Sequence, residues 1–345
     1  MSSGDEEQPD PRETALHPRH RQHLMGHDGA EQHLLKAYHS GRFHHSWLIT
    51  GPQGIGKATL AYRLARYLLR YPDHEMAPQD TLAVPTGDVV ASQVSARSHP
   101  DLLVLQRGVE KGKLKAGITV DASRKAADFF SKTAGAGGWR IAIVDSADEM
   151  NAAAANSLLK TLEEPPERSL FILVCHQRGR LLPTIRSRCI ELVLDLLPQE
   201  AILSALDQLP ENLGKQAIPL AAISGGSPGL AIALAETGAG PIFDRFAKAI
   251  DAGRLDMKTR VSIANALHGR GTDDRFRVFC SLLDGWITCA AADAARVFET
   301  TGKGHALASA HQTIGHSIHE TNALNLDRRL TMLQAFGLIE QARRA

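Results

Sequence analysis

Cysteine is scarce in this chain. Only Cys175, Cys189, Cys280 and Cys289 are present in 345 residues, and their spacing matches neither a zinc cluster nor a small disulfide scaffold. A reducing, cytoplasmic setting is therefore expected. An excess of one charge is also missing: 39 Lys and Arg face 38 Asp and Glu, for a formal charge of +1. No global field draws such a chain to nucleic acid or to a membrane surface, so DNA contact has to be local or shared with partners. No apolar run reaches the ~18 residues of a membrane span. The opening stretch MSSGDEEQPDPRET lacks the basic start and apolar run of a signal peptide. A disordered tail over residues 1–15 is expected there.

Apolar material is sufficient for two or three domains with real cores: 43% of the 345 residues are hydrophobic. Histidine is in surplus, with eight of 16 in the first 45 residues. His17, His20, His23 and His27 imitate a metal-ligand spacing, but no Cys or carboxylate cluster completes a site. A polar helix face is the expected reading.

The central motif is GPQGIGKAT at 51–59. Gly51, Gly54, Gly56 and Lys57 fit the G-x-x-x-x-G-K frame of a phosphate cradle, in which backbone amides and a lysine hold the phosphates. The next position normally carries the hydroxyl that binds Mg²⁺, and here it is Ala58. Thr59 follows one place late, so on a helix its hydroxyl points about 100° away. The flanks suit the motif: HHSWLIT (44–50) reads as a strand and ATLAYRLARYLLRY (58–71) as a helix, with an amphipathic helix before them at 28–41.

Residues 72–100 read as loop-rich, with Pro72, Pro78, Pro85 and Pro100. DLLVLQ (101–106) reads as a strand. Lys111, Lys113 and Lys115 lie in a polar, hairpin-like stretch, solvated or in contact with DNA phosphate. A helix follows at 121–134. WRIAIVD (139–145) is a buried strand ending in Asp145, where such folds place the carboxylate that orients Mg²⁺. NAAAANSLLKTLEEPP (151–166) is a helix stopped by Pro165 and Pro166, and SLFILVC (169–175) is another strand. Alternating helices and near-continuous apolar strands predict a parallel sheet covered on both faces. Beyond Pro198 the segments read as helices throughout. The last, from about Leu324 to Arg344, carries Leu330, Leu333, Phe336 and Leu338 as a core or subunit-contact face.

The stretch 141–189 resembles the bacterial clamp-loader branch of the AAA+ ATPases. NSLLKTLEEPP (156–166), FILVC (171–175), LLPTIRSRC (181–189) and HHSWLITGP (44–52) carry the resemblance, which covers residues 16–240 and extends by architecture to the C-terminal helices. It implies a P-loop α/β AAA+ core at 16–197, a small three-helix lid at 198–240 and an all-helical collar at 241–345. Several chemical positions depart from the motor members of that family. Ser146 stands where the motors have a catalytic Glu. His176 replaces a Thr that senses the γ-phosphate, and Gly229 replaces the Arg of the lid. With Ala58, four such positions have changed while the frame survives. Losses in separate roles multiply, and each costs on the order of 10²-fold in rate. The resemblance therefore implies a non-motor subunit with weak ATP binding at most, through Gly51, Gly54, Gly56, Lys57, Thr59 and Asp145. Arg188, in SRC (187–189), matches the arginine finger offered in trans to a neighbouring ATPase.

The implied partners are the motor subunits (gamma/tau) and the delta subunit of a DNA polymerase III clamp loader. Sliding clamp and primed DNA are reached indirectly, in a cytoplasmic hetero-oligomer without membrane contact. A motor ATPase working through Lys57 and Asp145 stays open as an alternative, and so does an AAA+ helicase or branch-migration motor. Members of this kind often carry four zinc-binding cysteines after the phosphate-loop helix, whereas residues 60–140 contain none. His74 and His99 cannot supply the ~4 ligands of a tetrahedral site. Elemental analysis of the purified chain is expected to show no stoichiometric zinc.

Overall fold

Short apolar runs bounded by Gly, Pro and polar turns become strands, and the longer 3.6-periodic segments between them become helices. The computed structural model describes residues 17–344, except 111–112, 116, 208, 210–212, 254, 270, 298–299 and 325. The tail expected at 1–15 and Lys111 lie outside the described residues. The chain divides into two compact units, one ending at Ala201 and the other beginning at Ile202.

The first unit opens with α1 (Asp28–His39), β1 (Ser46–Thr50), α2 (Lys57–Arg70) and α3 (Val89–Ser95). Then come β2 (Leu102–Gln106), a small hairpin of β3 (Val109–Glu110) and β4 (Lys113–Leu114), and α4 (Val120–Ser131). It closes with β5 (Arg140–Asp145), α5 (Ala152–Glu163), β6 (Ser169–Cys175), the short α6 (Pro183–Arg186) and β7 (Ile190–Val193). Five strands form one sheet in the order β2-β5-β6-β1-β7, and every pairing in it is parallel.

The two faces follow from strand alternation. Leu48, Ala142, Val144, Phe171 and Leu173 point to one side, where Ala126 and Phe130 of α4 and Leu158 and Leu162 of α5 cover them. The neighbours Trp47, Ile49, Ile141, Ile143 and Ile172 are equally buried, on the face where α2 packs on the sheet. The α/β core expected from the sequence is therefore present, with helices on both faces of a parallel sheet.

The second unit is helical throughout its described elements. α7 (Gln199–Asp207) leads into it, followed by α8 (Ala217–Ile223), α9 (Pro228–Thr237), α10 (Ala239–Asp251), α11 (Met257–Ala266), α12 (Asp273–Arg296), α13 (Thr301–Leu324) and α14 (Arg328–Arg344). Its core is aromatic: Phe246 stacks on Phe336 at 5.5 Å and meets Trp286 at 5.4 Å between ring centroids. By length and composition alone α12 could cross a membrane. Its apolar residues Phe276, Phe279, Leu283 and Ile287 are buried, and it packs against α9, α10 and α13.

Several details differ from expectation. The loop-rich stretch 72–100 contains α3, whose start is capped by the Asp88 side chain accepting from the amides of Val90 and Ala91. The edge strand β7 is not apparent in the sequence because it is short and half-exposed. The last helix starts four residues later than expected: α13 ends at Leu324 and α14 runs Arg328–Arg344, and the hydroxyls of Thr321 and Thr331 meet at 2.6 Å between them. Leu330 is exposed, while Met332, Ala335, Phe336 and Ile339 are buried, so the inward stripe is rotated from the one expected. His17 to His27 do not form a helix face. Only Pro18–His20 make a single 3-10 turn, and His17 and His27 are buried.

Phe171 lies at the middle of the sheet, fully buried and 4.7 Å from the Phe130 ring. Phe171→Ala is expected to destabilise the first unit by about 3–5 kcal/mol, the usual range for a core aromatic deletion. Urea unfolding of the variant against the parent chain measures it.

Candidate functional site

The cradle hangs from the carboxyl end of β1. After Thr50 the chain turns through Gly51, Gly54 and Gly56, all at positive φ (144°, 77° and 111°), and α2 begins at Lys57. All three favour glycine conformationally, and Gly51 is demanded sterically as well. A Cβ on Gly51 would lie 2.3 Å from the carbonyl oxygen of Leu194, and one on Gly56 would lie 2.8 Å from Cδ1 of Leu24. From behind, Nε2 of the buried His27 hydrogen-bonds the Ile55 carbonyl at 2.9 Å. An N-terminal histidine thus braces the loop, a role its sequence spacing does not signal.

Lys57 is 2% exposed. Its Nζ donates to the carbonyls of Gly51 at 2.6 Å and Pro52 at 2.5 Å, so the ammonium ties the loop to itself. Burial lowers its pKa to about 8, opposed by the carboxylates of Asp148 and Asp145 and by the Cys175 thiol. Ala58 follows and offers no oxygen. Thr59 lies half-buried one position further along α2.

The carboxyl ends of β5 and β6 complete the cluster. Ser146 Oγ donates to Asp145 Oδ1 at 3.3 Å and shares a 2.8 Å hydrogen bond with His176 Nε2. The Asp148 carboxylate accepts from the backbone amides of His176 and Gln177, both at 3.0 Å, and pins the turn after β6. Burial, then the positive charge of Lys57, drives the His176 pKa down to about 4, so its imidazole is neutral at pH 7. Lys57, Asp145, Ser146 and His176 therefore share one site. Asp148 is the member that sequence reading missed, although it stands three residues past Asp145. Gly229 lies in the first turn of α9, in the second unit.

Arg188 is elsewhere. It precedes β7, whose first residue Ile190 pairs with Trp47 near the start of β1. The cradle follows the last residue of the same strand, so Arg188 and the cradle are separated by the length of β1, ~17 Å at ~3.3 Å per residue. Arg188 Nη1 donates to the Thr184 carbonyl at 2.8 Å and to Ser187 Oγ at 3.3 Å, and Nη2 pairs with Glu163 Oε1 at 2.5 Å. Cys189 Sγ lies 3.0 Å from Ser46 Oγ and anchors the turn to β1. An open cleft of about 440 Å³ beside it is lined by His44, His45, Leu162, Glu163, Ser187 and Arg188.

Among the described residues no group of three or more His, Cys, Asp or Glu is placed to hold a metal ion. Lys115, the described lysine side chain of the basic stretch, pairs with Glu110 at 3.7 Å.

Known proteins bear on this geometry. The sequence pattern of the family described as "DNA polymerase III, delta subunit" matches residues 26–198. The DNA polymerase III subunit delta' of Pseudomonas aeruginosa is 38% identical over 186 residues, 53% of each chain. That of Escherichia coli K12 is 38% identical over 204 residues, 58% of this chain and 57% of the relative. A Mycobacterium tuberculosis DNA polymerase III subunit gamma/tau is 31% identical over 194 residues, 55% of this chain and 31% of its own. The match thus spans little more than half the length of the delta' relatives. A solved gamma-subunit-related DNA polymerase III protein from Thermotoga maritima superposes with a TM-score of 0.45 at 18% identity, covering 91% of this chain and 100% of that one. With the family pattern running through half of its residues, cradle and arginine turn included, the chain belongs to the DNA polymerase III, delta subunit family, and its 38%-identical relatives there are delta' subunits.

Proposed function

We propose that the chain is the stationary, delta-prime subunit of a DNA polymerase III clamp loader, which hydrolyses no ATP itself and completes the ATP site of a neighbouring motor subunit. The observation that carries this reading is the separation of Arg188 from the chain's own cradle by the length of β1. An arginine finger acts by stabilising charge on the transferring phosphoryl group, and from that distance Arg188 cannot serve the cradle of its own chain. A second chain has to supply the phosphate.

The state of the cradle supports the same reading. The positive-φ glycines and the N-terminus of α2 suit a phosphate, and Lys57 is present to meet one. Mg²⁺ is poorly served, because Ala58 offers no oxygen. The hydroxyl–imidazole pair of Ser146 and His176 is neutral where a motor needs a carboxylate to polarise water. Weak nucleotide binding through Gly51, Gly54, Gly56, Lys57, Thr59 and Asp145, without appreciable hydrolysis, is the function assigned to the cradle.

In this proposal α7–α9 form the lid region, and the helices beyond residue 241 join a collar shared with the gamma/tau motors and the delta subunit. The sliding clamp and primed DNA are handled by the cytoplasmic hetero-oligomer as a whole. A motor role stays the alternative, because Lys57 and Asp145 are retained and a gamma/tau relative aligns over the same region.

Two measurements test the proposal. The purified chain, given ATP, Mg²⁺ and primed DNA, is expected to show no turnover and only weak, Mg²⁺-insensitive binding by titration calorimetry. Turnover that disappears in Lys57→Ala would identify a motor instead. In the complex reconstituted with its motor and delta subunits, Arg188→Ala is expected to leave this chain folded. It should slow hydrolysis at the site it completes by roughly 10³-fold or more, and an unchanged single-site rate would sink the arginine-finger assignment.

A further inference from the structure

We propose that Glu163 is a positioning residue for Arg188: it holds the guanidinium in the free chain and yields it when a phosphate of the neighbouring subunit arrives. This rests on the arginine-finger reading above and adds the residue that governs the arginine's availability.

The local geometry carries the inference. Glu163 is the last residue of α5, and Glu164 follows it at the C-cap. A helix C-terminus already bears partial negative charge, so two carboxylates there call for a cation. Arg188 Nη2 supplies it at 2.5 Å. The His45 imidazole does not compete: it spends Nε2 on the Leu162 carbonyl at 3.0 Å, and burial, then its neighbour His44, holds its pKa below the usual value.

The arrangement is exchangeable. The side chains of Arg188 and Glu163 are 33% and 47% exposed, and ion pairs so exposed are weak. Nη1 is committed to Thr184 and Ser187 on its own turn, so Nη2, on Glu163, is the end of the fork that a new anion would take. Phosphate matches the guanidinium as carboxylate does, but with more charge. A carboxylate retained within hydrogen-bonding distance would repel the phosphate, so engagement of the triphosphate displaces Glu163. The adjoining cleft of about 440 Å³ leaves room for the exchange.

The test is a kinetic double-mutant cycle in the reconstituted clamp-loader complex with ATP and primed DNA. Glu163→Gln keeps the shape of the side chain and removes its charge. It is expected to raise kcat/KM for ATP about two- to fivefold, the factor that an exposed ion pair's strength corresponds to. The gain should vanish when Arg188→Ala is combined with it, which a merely structural effect of Glu163 would not do. If Arg188→Ala slows the complex while Glu163→Gln leaves kcat/KM unchanged or lowers it, the holding role is wrong and the finger stands. If Glu163→Gln raises kcat/KM equally in the Arg188→Ala background, the effect does not pass through the arginine and the proposal also falls. If Arg188→Ala itself has no effect, the finger reading fails and the holding role fails with it.

Discussion

The pairing of β1 between β6 and β7 is the constraint on which the rest of the first unit depends. Its five residues pair with β6, four of them (Trp47–Thr50) pair with β7 as well, and all five are buried. The register sets Thr50 opposite Cys175 on one side and Val193 on the other. Everything just past those residues is thereby gathered at one end: the glycine loop, His176 and the Leu194 carbonyl that packs on Gly51. Everything just before Trp47 and Ile190 is gathered at the other end, where His45, Arg188 and the end of α5 meet. A one-residue slip in a strand buried on both faces would exchange its inward and outward side chains and misplace both ends. One strand thus assigns the two candidate sites to opposite poles of the sheet.

Much of this arrangement was legible in the sequence, for identifiable reasons. Continuous apolar runs such as FILVC and IAIVD permit only doubly covered strands, and GPQGIGKAT between a strand and a helix leaves little freedom for the loop. The arginine turn was legible as a motif, but its distance from the cradle was not, because that distance depends on β7. β7 is short, and its exposed Ile190 and Val193 look like loop residues with apolar accidents. The bracing by His27 was illegible because imidazole-to-carbonyl bonds across 28 residues leave no spacing signal. The start of α14 was legible to within a few residues, although no proline or glycine marks it.

The electrostatics of the cradle turn on desolvation more than on charge pairing. Burial is the largest influence on both Lys57 and His176, and it acts on both against the charged form. The lysine stays mostly protonated at neutral pH because two backbone carbonyls and nearby carboxylates solvate it. The histidine, with a lysine for a neighbour, does not. A site so arranged can accept a phosphate through one cation and a set of amides. Its Ser146–His176 pair is uncharged, the Asp148 carboxylate accepts from two backbone amides, and Ala58 presents a methyl and no oxygen to a metal.

Persistence of the cradle's frame does not by itself argue for persistence of its chemistry. Gly51 has to be glycine because the Leu194 carbonyl lies against it, and Gly56 favours glycine because its φ is 111°. Lys57 donates to two carbonyls of the loop, so its loss would remove the ammonium that ties the loop to itself. These residues therefore serve the conformation and packing of the loop itself, whether or not nucleotide ever binds. Ala58, Ser146 and His176 carry no such packing demand for a metal-binding hydroxyl or a catalytic carboxylate, and on the proposed reading those are the places where the chemistry has gone. Arg188 falls on the other side of the division. Its guanidinium is half-exposed on a turn already held by Cys189 and Ile185, and the fold has little need of it. A retained group that the fold does not need is the one whose role has to be sought outside the chain.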